Sequence, residues 1–350
     1  MTKPILSVLI DTYNHERYIE QTLVSVLEQD LSAEELEVVV VDDGSTDRTP
    51  EIIQKFAPRV RHVRKKNGGQ ASAFNAGFAE SRGEIVALLD GDDWWAKGKL
   101  RRVVEALEEE SNVGAVGHGY YEFHEETKEA RARVPVRKSI VNIETKEGTR
   151  EALLAWPFML MGALTVRRSV LEWIMPLPEK MVFMADSPIQ VAAMAKGAVI
   201  LPEPLFYYRY HRQNLFAIDA KEKAKLRRRS EMTRLVYDEM YRMLVRRGLS
   251  RERVGALLVP AQEHQFTLHP PGRLDFFRFL VRQNYLHSPE QTWRFTALNY
   301  LTPFAALFYG YENERLMYEW RRSATERVER LYRWLVGART GTGSKRVRKA

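Results

Sequence analysis

The sequence predicts an α/β fold, a mostly parallel sheet flanked by helices in Rossmann-like alternation, followed by a helical C-terminal domain. Three observations carry this. From Ile5 to Phe123 short β-branched runs alternate with helical periodicity, the order of a parallel sheet with right-handed crossovers. Polar and acidic residues collect where the runs stop, at Asp11 to Asn14, Asp42 to Ser45 and Asp90 to Asp93. Open α/β sheets bind their ligands beyond these carboxyl ends. Past Asp219 the composition turns Arg-rich and the periodicity is helical only.

Taken in order, Ile5 to Ile10 reads as a buried strand, and Ile19, Leu23, Val26 and Leu27 give the next helix one apolar stripe. Leu36 to Val41 is the second strand. Thr49 is expected to cap a helix with Pro50 at its first position. Arg59 to Val63 is a third strand, and the basic, glycine-bearing loop Lys65 to Gln70 opens a helix whose Ala71, Ala73, Ala76, Gly77 and Ala79 allow close approach. Ile85 to Leu89 is the central strand, Leu100 to Leu107 a helix, and Val113 to Phe123 a further strand. The charged stretch from Glu125 to Arg150 reads as a hairpin or excursion. Leu153 to Val166 is apolar and irregular, a wall of the site ahead of a strand. Ser169 to Ile174 is a helix ended by Pro176 and Pro178. Asp186 stands at the start of a helix running to Ala195, where the macrodipole favours its ionised form. Val199 to Tyr210 is the last extended segment. Beyond it a long helix stops at Gly248, later starts fall at Ser288 to Gln291 and Thr302-Pro303, and Leu331 to Leu335 closes the last helix. The division expected is a sheet domain over 1–214, a helical domain over 215–336 and a disordered basic tail over 337–350.

At 350 residues and 45% hydrophobic content the chain has ample core for two parts, and its net charge of +8 favours an anionic partner. The absence of cysteine excludes disulfides and thiolate chemistry and fits a reducing compartment. The N-terminus runs straight into a strand and reads as mature, and no stretch offers an uninterrupted apolar span. The expected location is therefore cytoplasmic, free or peripheral on the cytoplasmic face of a membrane. An anionic membrane surface is the sharper reading of the Arg-rich helices and basic tail, an ordinary solvated face the plainer one. Nucleic acid is not an expected partner, because no motif for it is present.

The stretch GEIVALLDGDDWW, Gly83 to Trp95, is the centre of the chain. A buried strand delivers Asp90, Asp92 and Asp93 together, and Gly91 lets the backbone turn so that Asp90 and Asp92 aim at one point. Hard oxygen ligands of this kind suit Mg²⁺ or Mn²⁺ carried with a diphosphate. An acidic turn without a ligand is the alternative for these residues alone. Trp94 and Trp95 offer either sugar-stacking faces or core.

Four segments, Val8 to Asn14, Val40 to Asp47, Asn67-Gly68-Gly69 with Ala73 to Gly77, and Asp90 to Asp93, resemble, in order and spacing, the inverting family-2 glycosyltransferases. These are nucleotide-sugar-dependent enzymes of GT-A fold. The likeness covers residues 4–119 well and continues more loosely to about Asn214. It implies a donor site for a nucleotide sugar, with a UDP-sugar the first choice, made by Thr12, Tyr13, Asn14, Asp42, Asp43, Gly69, Gln70, Asn75, Asp90 and Gly91. Asp42 would accept from the uracil imide, with Asp43 the adjacent alternative, and Asp90 would serve the ribose side and a metal-bound water. Asp92 would bind Mn²⁺ or Mg²⁺ directly, with Asp90 and the loop histidine His211 completing the shell, and Asp93 would shape the sugar pocket. A surface histidine is the plainer reading of His211. The family usually has proline or a small apolar residue where this chain has Asp11.

The chemistry itself asks for a base. Displacing a nucleoside diphosphate from a sugar carbon requires the acceptor hydroxyl to lose its proton on the opposite face. The resemblance puts that base at Asp186, alone because Ala185 stands where the family often has a second acid; a helix cap is the alternative for Asp186. The implied acceptor is a saccharide or lipid-linked hydroxyl. A catalytically degenerate scaffold or membrane-surface binding protein is the rival reading, with Ala185 its best support.

Overall fold

The computed structural model describes residues 4–143, 148, 151–152, 155–211, 214, 223–251 and 254, all within one compact unit, Met1–Ala261. Strand β1 (Leu6–Thr12), α1 (Ile19–Leu27), β2 (Leu36–Asp42), α2 (Thr49–Gln54), β3 (Arg61–Arg64), α3 (Gln70–Glu80) and β4 (Ile85–Asp90) form the first half. The pairs β1–β2, β1–β4 and β2–β3 are all parallel, as the alternation of elements requires. The apolar runs of β1, β2 and β4 are buried on both faces, which is why they are continuous rather than alternating.

The second half completes one sheet of ten strands. After the two-residue strand β5 (Trp94–Trp95) come α4 (Lys99–Glu109), β6 (Ala115–His124), β7 (Glu129–Arg133), β8 (Ser139–Val141), β9 (Thr165–Arg167), α5 (Arg168–Ile174), α6 (Asp186–Ala195) and β10 (Ala198–Tyr210). The main path runs β3-β2-β1-β4-β9-β6-β10-β5, with β7 on β6 and β8 on β10. Strand β9 is antiparallel to both neighbours, while β6 and β10 are parallel. The charged excursion after β6 is indeed a hairpin, β6 with β7. The irregular segment before β9 makes two 3-10 turns, Trp156–Phe158 and Met161–Ala163.

A long helix, α7 (Lys223–Arg246), follows the sheet and packs against α6; its Val236, Met240 and Leu244 are buried. It ends at Gly248, whose φ of +97° suits glycine. No helix among the described residues is long and apolar enough to cross a membrane. The helix starts expected at Ser288 and Thr302, the helix end at Leu335 and the basic tail lie outside the described residues.

One local expectation is corrected. Arg48, not Thr49, is the N-cap of α2; the Thr49 hydroxyl instead accepts the backbone N–H of His15 at 2.9 Å, which fixes the loop after β1. Trp94 and Trp95, read in sequence as sugar-stacking faces or core, form a short strand because β10 comes back beside them. Trp95 is core, donating Nε1–H to Gly162 O at 3.0 Å. Trp94 stacks on Tyr207 at 4.6 Å, with the Arg209 guanidinium 4.4 Å from its ring centre.

Candidate active site

The carboxyl ends of β1, β2 and β4 open into a cleft of about 580 Å³. Asp11, Thr12, Tyr13 and His15 line it from the end of β1, Asp43 from the end of β2, Gly69 and Gln70 from the start of α3, and Asp90, Asp92 and Asp93 from the end of β4. Trp156, Leu160, Met161 and Gly162 form the apolar wall, as the irregular segment suggested, and Asp186 and Gln190 of α6 line the cleft as well.

The loop after β4 is held from several directions. Gly91 N donates to Asp11 O at 2.9 Å, and an added Cβ at Gly91 would stand 2.5 Å from Thr12 Oγ1, so only glycine fits this approach. Arg209 of β10 pins the same loop: its N–H donates to Asp93 Oδ1 (2.7 Å) and its Nε to Asp92 O (2.7 Å).

Among these carboxylates the ionisation states diverge. Burial pushes Asp92 up, but the charge of His15 and the hydrogen bond and charge of His211 outweigh it and hold Asp92 below the usual carboxylate range. His211 Nε2 is 3.0 Å and His15 Nε2 3.9 Å from Asp92 Oδ2. Burial and the neighbouring Asp11, Asp92 and Asp93 push Asp90 well above that range, and burial with Asp92 pushes Asp11 to about 7. Asp92 is thus the carboxylate in the state a cation requires. Its oxygen and the imidazole nitrogen of His211 form a donor set that suits a divalent ion such as Mn²⁺. Among the described residues no group of three His, Asp or Glu side chains is placed to hold a metal ion; Mg²⁺ bound with a nucleotide takes one or two protein carboxylates together with phosphate oxygens.

Asp42 and Asp43 part company at the end of β2. Asp42 is fully buried, accepts from Ser45 N (2.8 Å) and stands 3.5 Å from Arg64 Nε; it holds the turn. Asp43 lines the cleft and accepts from Lys65 Nζ (2.6 Å), Gly68 N (3.0 Å) and Gly69 N (2.7 Å). The structure therefore brings Asp43 to the cleft and leaves Asp42 behind it. Asn14, at φ +57°, ties the β1 turn to Ser45 and Thr46, and Asn75 bonds both N–H and C=O of Leu177. These two, with Gly91, shape the cleft walls rather than face into it.

Gln70 and His15 are the contacts that residue spacing does not reveal. Gln70 Nε2 lies 3.4 Å from Asp90 Oδ1, and its Oε1 accepts from Ala185 N at 2.8 Å, so one amide joins the aspartate loop to the start of α6. The N–H groups of Gln70 and Ala71 donate to Val182 O and Met181 O, which brings the segment before α6 over the N-terminus of α3. Asp186 begins α6, accepts from Gln190 Nε2 at 2.9 Å, and is pushed by burial to about 6. Tyr237 of α7 is close enough to feel the Asp186 charge; burial and that charge raise its hydroxyl to about 12.

The chain is similar in sequence and fold to known proteins. Residues 7–174 match the model of glycosyl transferase family 2. The uncharacterized glycosyltransferase alr2836 of Nostoc sp. strain PCC 7120 is 37% identical over 218 residues, 60% of this chain and 66% of that protein. The uncharacterized glycosyltransferase EpsJ of Bacillus subtilis strain 168 is 30% identical over 233 residues, 62% and 64% of the two chains. The match thus spans just under two thirds of these relatives' own length. Among solved structures, residues 1–349 of S. aureus TarS, in complex with UDP-GlcNAc, align over 91% of both chains with a TM-score of 0.56 at 19% identity, a likeness of fold. The fold is GT-A, and residues 7–174, just under half of the chain, carry the sequence pattern of glycosyl transferase family 2.

Proposed function

We propose that the protein transfers a sugar from a nucleoside diphosphate donor, a UDP-sugar in the first instance, to a hydroxyl of a saccharide or lipid-linked acceptor, with inversion at the sugar carbon. The observation that carries this reading is the pairing, in the lining of one cleft, of a carboxylate held ionised, Asp92, with a second buried carboxyl, Asp186, pushed to about 6. The first can carry a cation; the second can take a proton near neutral pH. The UDP-GlcNAc in the TarS structure supports UDP as the nucleotide.

In this reading Tyr13 and Asp43 receive the base, Asp90 the ribose, and Asp92 with His211 a divalent cation, Mn²⁺ or Mg²⁺. Such an ion supplies Lewis-acid stabilisation of the charge that grows on the departing diphosphate. Asp186 takes the proton of the attacking hydroxyl as the new C–O bond forms and the bond from sugar carbon to phosphate oxygen breaks. Gln190 orients that carboxylate, and Trp156, Leu160 and Met161 exclude water. A single direct displacement with one base inverts the anomeric centre. The acceptor side is assigned to residues 215–336, with the basic tail, 337–350, against an anionic membrane surface on the cytoplasmic face.

The test is release of nucleoside diphosphate from a panel of UDP-, GDP- and dTDP-sugars, each with Mn²⁺ and with EDTA. Metal-dependent release from one nucleotide class supports the reading. Release from none of them contradicts it and favours a binding scaffold.

A further inference from the structure

Helix α6 is buried from Ser187 to Ala195, and beyond Pro188 every residue but one is apolar. The exception is Gln190, between Ile189 and Val191. It is 2% exposed, yet it lines the cleft. Packing alone would set an apolar side chain here, so the amide calls for a reason.

One end of that amide is accounted for. One helical turn separates Gln190 from Asp186, which puts the two on one face, and Nε2 donates to Asp186 Oδ2 at 2.9 Å. An ionised carboxylate only accepts, so this bond fixes which end of the amide meets Asp186. The other end, Oε1, is buried and has no hydrogen-bond partner among the described residues. A buried acceptor left unpaired costs stability, and here the cost falls at the cleft, on the side chain bonded to the proposed base. Its partner must be a donor, because an amide oxygen only accepts. A hydroxyl meets that need, whereas an ionised phosphate or an alkyl chain does not. Asp186 is the group assigned to the attacking hydroxyl, so a second hydroxyl that reaches the neighbouring amide must stand beside the first. Adjacent ring carbons of a saccharide carry such a pair; a simple alcohol does not.

We propose that Gln190 selects the acceptor: its Oε1 accepts from the hydroxyl next to the attacking one, so the acceptor is a saccharide presenting a vicinal diol. The proposal rests on the transferase reading of the cleft. It is tested on the full chain with Mn²⁺ and a UDP-sugar that the protein hydrolyses, with cyclohexanol, cyclohexane-1,2-diol and cyclohexane-1,3-diol as probe acceptors. Mass spectrometry reads each transfer product against hydrolysis in the same tube. The wild type is expected to glycosylate the 1,2-diol about tenfold faster per hydroxyl than the other two. Gln190→Met keeps the bulk and Gln190→Ala removes it; neither has the amide oxygen. Both variants are expected to slow hydrolysis and transfer alike through Asp186 and, in addition, to bring the three alcohols within about twofold of one another. Loss of that preference is a change that a purely structural role does not produce. A wild type that hydrolyses the donor but glycosylates the three alcohols at one rate, or none of them, overturns the diol reading alone. So does a folded variant that keeps the preference. A wild type that releases no UDP from any donor overturns the transferase reading and this one with it.

Discussion

His211 Nε2 lies 3.0 Å from Asp92 Oδ2, joining the end of β10 to the loop after β4 across 119 positions of sequence. The imidazole is buried and the carboxylate faces the cleft. A histidine so placed fixes both the position and the charge of the carboxylate proposed to bind the metal. His211→Ala is expected to weaken Mn²⁺ binding by about 10- to 100-fold, read as free Mn²⁺ by electron paramagnetic resonance. An unchanged affinity removes His211 from the metal site.

The Gln70 amide spans from Asp90 Oδ1 to Ala185 N, so it sets the distance between the aspartate loop and Asp186, the proposed base that follows Ala185. Gln70→Leu keeps the bulk and removes both bonds. Misplacing a reacting group by about 1 Å costs on the order of 10²-fold in rate, and a loss of kcat between about tenfold and that limit is expected. Steady-state kinetics with circular dichroism as a folding control decides it; a kcat within twofold of wild type contradicts the bridge.

Burial lifts Asp186 from 3.8 to about 6. As a base it is inactive when protonated, so kcat/KM is expected to rise with pH through about 6 and then level. The same shift bears on stability. The folded state holds this proton more tightly than the unfolded chain, so stability contributed by Asp186 is fully present below about 3.8 and is lost as pH rises through about 6. Asp186→Asn escapes that loss. It is expected to unfold at a higher temperature than wild type at pH 7.5, by at most about 3 kcal/mol, and the difference is expected to shrink toward pH 4 in scanning calorimetry.

Gly69 joins the Asp43 loop to α3 at φ +82°, and a Cβ there would stand 2.6 Å from Val182 Cα and 2.7 Å from Val182 O. Gly69→Ala must move the segment leading to Asp186 or leave the left-handed region. A loss of about 1–3 kcal/mol in urea unfolding is expected, with a larger fall in activity than in donor binding, because Asp43 keeps its Lys65 partner.

Much of this was legible in the residues. The runs of β1, β2 and β4 are apolar on both faces because helices cover both, and that continuity marks buried parallel strands in any sequence. The acids at their ends are legible for the same reason, since nothing in a core calls for them. What spacing could not separate is Asp42 from Asp43. They follow one another at the end of β2, and the choice is made by Ser45 and Arg64 behind the sheet and by Gly68 and Gly69 in front of it. Trp94-Trp95 became a strand through pairing with β10, and β9 entered the sheet antiparallel between β4 and β6; both are contacts between distant parts of the chain. His15 reads in sequence as one polar residue of a loop, and only folding shows its imidazole beside Asp92.

The division of labour between Asp92 and Asp186 is the central claim, and one comparison tests it most directly: UDP-sugar affinity in Mn²⁺ and single-turnover rate, measured together on Asp92→Asn and Asp186→Asn. Asp92→Asn is expected to lose metal-dependent donor binding. Asp186→Asn is expected to bind the donor as wild type does and to turn over slower by about 10²- to 10⁴-fold, the contribution of a positioned base. Donor binding by Asp92→Asn that still responds to Mn²⁺, or turnover by Asp186→Asn at the wild-type rate, contradicts it.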